Sequence, residues 1–230
     1  MPDQKILAVD VGGSHVKLLI SSGSWERRRF ASGPDLGPRE MVERIASLTT
    51  DWPFDAVSIG VPAPVHAGRI VSDPVNLGRG WVGFDFEELF ARPTKVVNDA
   101  AMQALGSYEG GKMLFLGLGT GLGSALVVEG IVEPMELGHL PFRKATFEEY
   151  VGERGRQRLG KKKWKEAVVE TIERLAVALE PDSVVLGGGN AKKLGDLPPN
   201  VQLGANNNAF IGAFRLWDPN HAYGPQARRC

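Results

Sequence analysis

Cysteine is almost absent from this chain, which has a single one, Cys230, among its 230 residues. One thiol can form neither an internal disulfide nor a cysteine-rich zinc cluster, and this usage is typical of a reducing compartment. The amino terminus lacks a basic stretch followed by an apolar segment, and no run approaches the roughly 20 apolar residues that a membrane helix needs. We therefore expect a soluble, cytoplasmic protein without a membrane partner.

An excess of either charge is also lacking, because 27 Lys and Arg residues balance 27 Asp and Glu residues. A neutral chain has no global field that would draw it onto nucleic acid, so an anionic ligand must be held locally. The hydrophobic fraction of 43% is large enough to build a core. Composition therefore favours a globular protein that does not bind nucleic acid.

Strand and helix patterns alternate along the chain and predict an α/β fold. Apolar, β-branched runs at 6–11 and 16–21 indicate a hairpin, and the strand-loop-strand pattern returns at 113–118 and 124–129, which indicates an internal duplication. Two such halves predict a ligand-binding cleft between them. The other predicted elements are helices at 38–48, 100–105, 164–179 and 210–217 and strands at 25–30, 56–61, 94–97 and 183–186.

We place the domain boundary between residues 98 and 99. Residues 1–98 would form an N-terminal α/β domain and residues 99–230 a C-terminal one, with any hinge near Asn98 and Asp99. The last helix, within residues 207–218, could pack back on the N-terminal domain.

The first of three glycine-rich loops follows a predicted strand that ends near Asp10. Gly12, Gly13 and Ser14 come next. Glycine lets backbone N–H groups turn toward an anion, Ser14 adds a donor, and a carboxylate at a strand end can hold hydrated Mg²⁺. An ordinary hairpin turn explains the same residues equally well.

The other two glycine loops lie in the second half of the chain. Residues 117–123 contain Gly119, Thr120 and Gly121, and alternating glycines cost conformational entropy unless the backbone must approach a ligand closely. A glycine-rich hairpin stays an alternative, and the mismatch to G-x-G-x-x-G disfavours a dinucleotide fold. The third loop contains Gly187, Gly188 and Gly189. A purine could lie against its backbone, or the loop could be a plain strand-to-helix turn.

Two polar pairs outside the glycine loops could carry chemistry. Asn98 and Asp99 open a predicted helix, so they suit a helix N-cap, while Asp99 also suits a general base at the mouth of a cleft. Glu136 and His139 lie three residues apart in ELGHLPF, as in a metal site, a catalytic pair or a ligand clamp. A metal site lacks further ligands nearby, and a lone histidine is often a satisfied core residue.

Taken in order along the chain, these segments resemble the ROK family of sugar kinases. Six of them carry the resemblance: DVGGS, GVPAPVHAGRIVSDPVNLGRGW, NDA, GLGTGLG, ELGH and VVLGGGNA. GKKKW and LGGGNAKKL are similar in particular to the polyphosphate glucokinase branch. The resemblance implies an actin- and hexokinase-like (ribonuclease H-like) duplicated fold of two domains with a cleft between them. It also implies a kinase for the 6-hydroxyl of a hexose, first of all glucose.

The resemblance further assigns roles to residues. Asp99 would take the proton from the sugar 6-hydroxyl, and Asp10 would face Mg²⁺ through water. The sugar hydroxyls would contact Asn76, Asn98, Glu136, His139 and Glu148, since carboxylates accept bidentate hydrogen bonds from vicinal hydroxyls. The phosphoryl donor, ATP or polyphosphate, would lie against Asp10, Gly12, Gly13, Ser14, Lys17, Gly119, Thr120, Gly121, Gly187, Gly188 and Gly189.

The chain departs from the family at two places. Typical ROK kinases follow the Glu-x-Gly-His segment with a cysteine cluster that binds structural zinc, whereas the stretch that follows it here, LPFRKATFEEYVGERG, has no cysteine. We expect no zinc, with packing of Leu137, Leu140 and Phe142 holding the segment instead. Ala63 stands where the family commonly has glycine, and its methyl group could tune the choice of hexose.

The sequence leaves the substrate, the donor and the assembly open. The substrate could be mannose or N-acetylmannosamine, or the chain could be a sugar sensor without turnover. The family is often dimeric, so a homodimer is a further expectation. Polyphosphate could bind a basic run that could equally be a solvated helix face, formed by Arg154, Arg156, Arg158, Lys161, Lys162, Lys163 and Lys165.

Overall fold

The predicted α/β architecture is confirmed. A computed structural model describes residues 4–23, 26–205 and 207–223, and it contains two mixed sheets with helices. The first residue of the predicted strand at 25–30 and Cys230 lie outside the described residues. No helix of the described part is long and apolar enough to cross a membrane.

The first half of the chain builds one sheet. Its elements are β1 (Ile6–Val11), β2 (His15–Ile20), β3 (Arg28–Ala31), α1 (Pro38–Leu48), β4 (Ala56–Val61), β5 (Val65–His66), β6 (Arg69–Ile70), α2 (Phe86–Phe90) and β7 (Thr94–Asn98). Five strands form the sheet in the order β3-β2-β1-β4-β7. Strands β1, β4 and β7 are parallel to one another, and β2 pairs antiparallel with both β1 and β3. The carboxyl ends of β1, β4 and β7 therefore share one edge, where open α/β sheets usually bind ligands.

The second half repeats this arrangement. Its elements are α3 (Asp99–Ser107), β8 (Lys112–Leu118), β9 (Leu122–Val128), β10 (Ile131–Met135), β11 (Pro141–Phe142), β12 (Ala145–Thr146), α4 (Phe147–Val151), α5 (Glu153–Leu179), β13 (Ser183–Gly187), β14 (Val201–Leu203), α6 (Asn208–Arg215) and β15 (Ala222–Tyr223). The sheet order is β14-β13-β8-β9-β10-β15, with β8, β13 and β14 parallel. Apart from β15, this matches the first sheet strand for strand, so the predicted duplication is confirmed.

Helix α5 is longer than predicted. It begins at Glu153 rather than near residue 164, and its backbone leaves the helical region at Gly160, where φ is 73°. The residues before Trp164 are mostly basic and carry no apolar stripe, so periodicity could not reveal them.

The C-terminal segment returns to the first sheet. Ser58 Oγ donates to the carbonyl of Ala213 at 2.7 Å, and Trp217 Nε1 donates to Ser58 Oγ at 2.8 Å. Lys95 Nζ donates to the carbonyl of Leu216 at 2.7 Å. Helix α6 thus touches both halves of the chain, and the domain boundary at residues 98 and 99 stays a prediction.

Two glycines allow α3 and α6 to cross with their backbones in contact. A methyl group on Gly106 would collide with the carbonyl oxygen of Asn208, and one on Gly212 would collide with that of Met102. Small residues are therefore required where α3, which begins at Asp99, meets α6.

We expect Gly106→Ala and Gly212→Ala each to lower the free energy of unfolding by about 1 to 3 kcal/mol, because overpacking outweighs the better helix propensity of alanine. Urea unfolding would measure this, with Glu43→Ala on the exposed face of α1 as the control. Unchanged stability in both glycine variants would contradict the close crossing.

Candidate functional site

A cavity of about 420 Å³ lies at the edge where the parallel strands end. Its walls bring together residues that the sequence places far apart. Among the predicted site residues, those that line it are Asp10, Gly12, Lys17, Asp99, Gly187, Gly188 and Gly189. The first glycine loop, the predicted base and the third glycine loop therefore face one space.

Asp10 and Lys17 form an ion pair at one wall of this cavity. The β1–β2 hairpin places the two residues opposite each other, and Lys17 Nζ lies 3.0 Å from Asp10 Oδ2. Asp10 is largely buried, with 13% of its side chain exposed, whereas Lys17 is 48% exposed. Lys17 can therefore reorient toward an anion in the cavity, while Asp10 stays fixed.

The first glycine loop is a hairpin turn that is braced from outside. Ser32 Oγ donates to the carbonyl of Gly12 at 2.6 Å, and Ser32 N–H donates to the carbonyl of Ser14 at 3.0 Å. No acceptor among the described residues pairs with the N–H groups of Gly13 or Ser14. A hairpin turn and an anion cradle are therefore compatible here. A Cβ on Gly13 would lie 3.3 Å from Cβ of Asn76, so the segment that contains Asn76 borders this turn.

Asn98 caps helix α3. Its Oδ1 accepts from the N–H groups of Ala100 and Ala101 at 3.0 and 3.2 Å, and its Nδ2 donates to the carbonyl of Ala63 at 3.2 Å. The helix-cap interpretation is thus confirmed for Asn98. The predicted contact with sugar must use the remaining amide hydrogen, and it stays a prediction.

Asp99 is the first residue of α3 and lines the cavity with a partly buried side chain. Burial raises the pKa of its carboxyl group to about 6, the negative charge of Asp10 adds to the effect, and Glu136 contributes further. The N–H of Ala100 donates to Asp99 Oδ1 at 2.8 Å and opposes the rise. A carboxylate with this pKa is ionised at neutral pH and binds a proton more readily than an exposed one.

The second and third glycine loops are joined through Asn190. Its N–H donates to the carbonyl of Leu118 at 3.0 Å, and its Nδ2 donates to the carbonyl of Gly119 at 3.2 Å. Gly188 has a φ of 81° and approaches the carbonyl of Leu118 too closely for any side chain. Close backbone approach explains the glycine at 188. Thr120 lies exposed at the tip of the second loop.

Glu136, His139 and Glu148 form a second group beside Asp99. Glu136 Oε2 lies 3.7 Å from His139 Nε2, and both side chains are more than half exposed. Partial burial raises the pKa of Glu136, with an opposing effect from His139. Glu148 borders Gly121, because a Cβ on Gly121 would meet its carboxylate. Carboxylates that point into open space suit hydroxyl recognition better than structural pairing.

The predicted packing under this segment is right for two residues and wrong for the third. Leu137 and Phe142 are buried, whereas Leu140 is 44% exposed. Phe142 stacks on the Phe147 ring at 4.8 Å and meets Tyr150 edge-on at 5.2 Å. These aromatic rings fill the space beneath the segment, which leaves Leu140 on the surface.

Several cleft residues were missed in the sequence. Gln103 lies one turn after Asp99 on α3, and this spacing could have revealed it. Lys192 lies three residues after Gly189 of the third glycine loop and could also have been found there. Ser107 and Asn208 are joined by a 2.6 Å hydrogen bond across 101 positions, and no local signal brings them together.

Comparisons with known proteins agree with this geometry. No protein-family model matches the chain. It is 29% identical to the glucokinase of Pyrobaculum calidifontis over 148 residues, which cover 59% of this chain and 49% of that protein. The polyphosphate glucokinase of Mycobacterium leprae is 25% identical over 88% of this chain and 71% of its own length. The chain thus spans about half the length of the first of these relatives.

Solved structures share the whole fold. The inorganic polyphosphate/ATP-glucomannokinase of Arthrobacter sp. strain KM superposes with a TM-score of 0.78 at 23% identity, covering 92% of this chain and 97% of the other. A ROK family glucokinase of Streptomyces griseus, solved with glucose and AMPPNP, gives 0.69 at 16% identity, covering 92% and 98%. This chain has the fold of the ROK sugar kinases. The predicted resemblance and fold are confirmed.

The raised pKa of Asp99 predicts a pH-dependent stability effect. The folded chain binds this proton more tightly than the unfolded chain, so ionised Asp99 destabilises the fold above about pH 6 and has no such effect below about pH 4. Asp99→Asn keeps an acceptor for Ala100 and cannot ionise. It should therefore exceed the wild type in unfolding free energy by about 1 to 2 kcal/mol at pH 8, with the difference vanishing toward pH 4.

Chemical unfolding across this pH range measures the effect. Asp196→Asn, on an exposed loop residue, is the control and should show no such trend. A pH-independent difference for Asp99→Asn would show that Asp99 has an ordinary pKa.

Proposed function

We propose that this chain phosphorylates the 6-hydroxyl of a hexose, first of all glucose, with ATP or polyphosphate as donor and Asp99 as general base. The observation that carries the proposal is the position of Asp99. Its side chain lines the cavity formed by the first and third glycine loops, and it also lies near enough to Glu136 to feel its charge, as Glu136 in turn feels the charge of Glu148. A donor on one side and a sugar on the other would meet at this group.

The reaction needs one proton acceptor and one aligned phosphoryl group. Asp99 takes the proton of the 6-hydroxyl, the hydroxyl oxygen bonds to the terminal phosphorus, and the bond from phosphorus to the leaving phosphate oxygen breaks. Phosphoryl transfer asks mainly for positioning and charge stabilisation. Backbone N–H groups of the first glycine loop and the ammonium group of Lys17 would donate hydrogen bonds to the phosphoryl donor.

The donor set fits Mg²⁺ bound through water. Mg²⁺ commonly uses one or two carboxylates together with water and donor phosphates, and Asp10 offers a fixed carboxylate at a strand end. Lys17 contacts Oδ2 of Asp10, which leaves Oδ1 for such a contact. When bound, the ion would neutralise charge on the phosphates. Asp10 would orient it, and Lys17 would help hold the phosphate oxygens.

The basic run supports polyphosphate as a donor beside ATP. Arg156 pairs with Glu153 at 2.6 Å, and Arg158 donates to the carbonyl of Glu149 at 2.8 Å. Lys161, Lys162 and Lys163 remain exposed. Glu153 N–H donates to the carbonyl of Gly119 at 3.0 Å, so the start of α5 touches the second glycine loop. A long polyanion could thus extend from the cleft onto α5.

Three finer expectations stay predictions. A hexose kinase with these donors would work in the cytoplasm. A homodimer is compatible with the fold, and structural zinc is not required, because aromatic packing supports the Glu136 and His139 segment.

Asp99→Asn should lower kcat at least about 100-fold while sugar binding persists, because the variant lacks a general base. A coupled assay measures transfer from ATP or polyphosphate with Mg²⁺ to glucose, mannose and N-acetylmannosamine, and calorimetry measures sugar binding. Asp196→Asn should behave as the wild type. Near-normal turnover of Asp99→Asn would leave Asp99 as a helix residue only. A wild type without transfer for any pair would favour a sugar sensor instead.

Joint replacement of Lys161, Lys162 and Lys163 by alanine should raise KM for polyphosphate more than KM for ATP, since only the long polyanion would reach α5. The expected ratio of the two increases is about tenfold. Joint replacement of Arg39, Arg92 and Lys144, which are exposed outside the cleft and outside α5, removes the same charge and serves as the control. Equal increases for both donors would contradict the proposed polyphosphate surface.

A further inference from the structure

Tyr223, a residue of the second sheet, contacts the backbone of Asn98, which directly precedes Asp99. Its hydroxyl oxygen accepts from the N–H of Asn98 at 3.4 Å. The strand β7, which ends at Asn98, is the outermost strand of the first sheet, with β4 on its only paired side. The N–H groups on the open side of an edge strand have no ladder partner, so another acceptor must satisfy them. Tyr223 supplies that acceptor next to Asp99.

The contact joins the two halves of the chain. Tyr223 belongs to β15, which pairs in parallel with β10, with Tyr223 opposite Val132. Its side chain is partly buried, and burial raises the pKa of the hydroxyl to about 12, so it remains protonated at neutral pH. The hydroxyl can therefore accept from Asn98 across the working pH range without titrating.

Asn98 is fixed at three points, and Tyr223 is one of them. The side-chain oxygen of Asn98 accepts hydrogen bonds from the first turn of α3, and its side-chain nitrogen donates to the carbonyl of Ala63, shortly after β4. These two contacts hold the side chain, whereas Tyr223 holds the backbone N–H. The direction in which the chain enters Asp99 thus depends on the Tyr223 contact.

We propose that Tyr223 is a positioning residue that orients Asp99 through the backbone of Asn98. The proposal rests on the kinase function argued above. A small misplacement of a general base slows the chemical step and leaves substrate binding largely intact, because the sugar and donor contacts lie on other residues.

Tyr223→Phe removes only the hydroxyl oxygen. Tyr223 lines a cavity of about 660 Å³, so the phenyl ring fits the same place without new contacts. We expect kcat to fall about tenfold, with KM for glucose and for the donor each changing less than about twofold. The amide of Asn98 should exchange its hydrogen at least about tenfold faster, which reports the contact without activity.

Tyr108→Phe is the matched control, since the Tyr108 hydroxyl donates to the carbonyl of Gly111 at 3.0 Å, away from the cleft. It should leave kcat and Asn98 exchange unchanged. An active wild type with normal kcat in Tyr223→Phe would overturn the positioning role and leave the kinase proposal intact. If the fall in kcat came with an equally large rise in KM and with a lower melting temperature, Tyr223 would be a stabilising residue only. A wild type without activity would overturn both proposals, and unchanged Asn98 exchange would also refute the contact.

Discussion

The close crossing of α3 and α6 is the constraint on which the rest of the structure depends. Helix α3 begins at Asp99, immediately after the first sheet, and leads into the second sheet, while α6 crosses it at Gly106 and Gly212. The crossing fixes the helix along its length, and Asn98 and Tyr223 fix its first turn. The general base proposed at Asp99 would need this rigidity, because catalysis depends on geometry held to fractions of an ångström.

Much of the fold could be predicted because its signals are local. Strand β4 and helix α1 have the bounds that β-branched runs and apolar spacing indicate, and the repeat of a strand-loop-strand pattern revealed the duplication. Tertiary packing decided the rest. The basic first part of α5 has no apolar stripe, and β15 is a two-residue strand that forms only because β10 offers an edge. Neither follows from propensity.

The candidate site divides in the same way. Asp10 and Asp99 could be identified because carboxylates after strands and at helix starts are visible in the sequence. Their proximity across the cleft could not be derived from spacing and required the parallel order of β1, β4 and β7. Leu140 shows the limit on the apolar side. Its hydrophobicity predicted burial, but the aromatic rings of Phe142, Phe147 and Tyr150 fill the core beneath it.

The charges in the cleft favour proton uptake by Asp99. Asp10 and Glu136 each repel ionised Asp99, and the pKa of Asp99 rises because burial, first of all, and these two charges disfavour its ionised form. Lys17 offsets only the charge of Asp10. In the proposed reaction, proton uptake by Asp99 would remove both of these repulsions at the moment when the phosphoryl group accepts the sugar oxygen. The carboxylates that destabilise the resting site therefore favour the proton transfer that the proposed reaction requires.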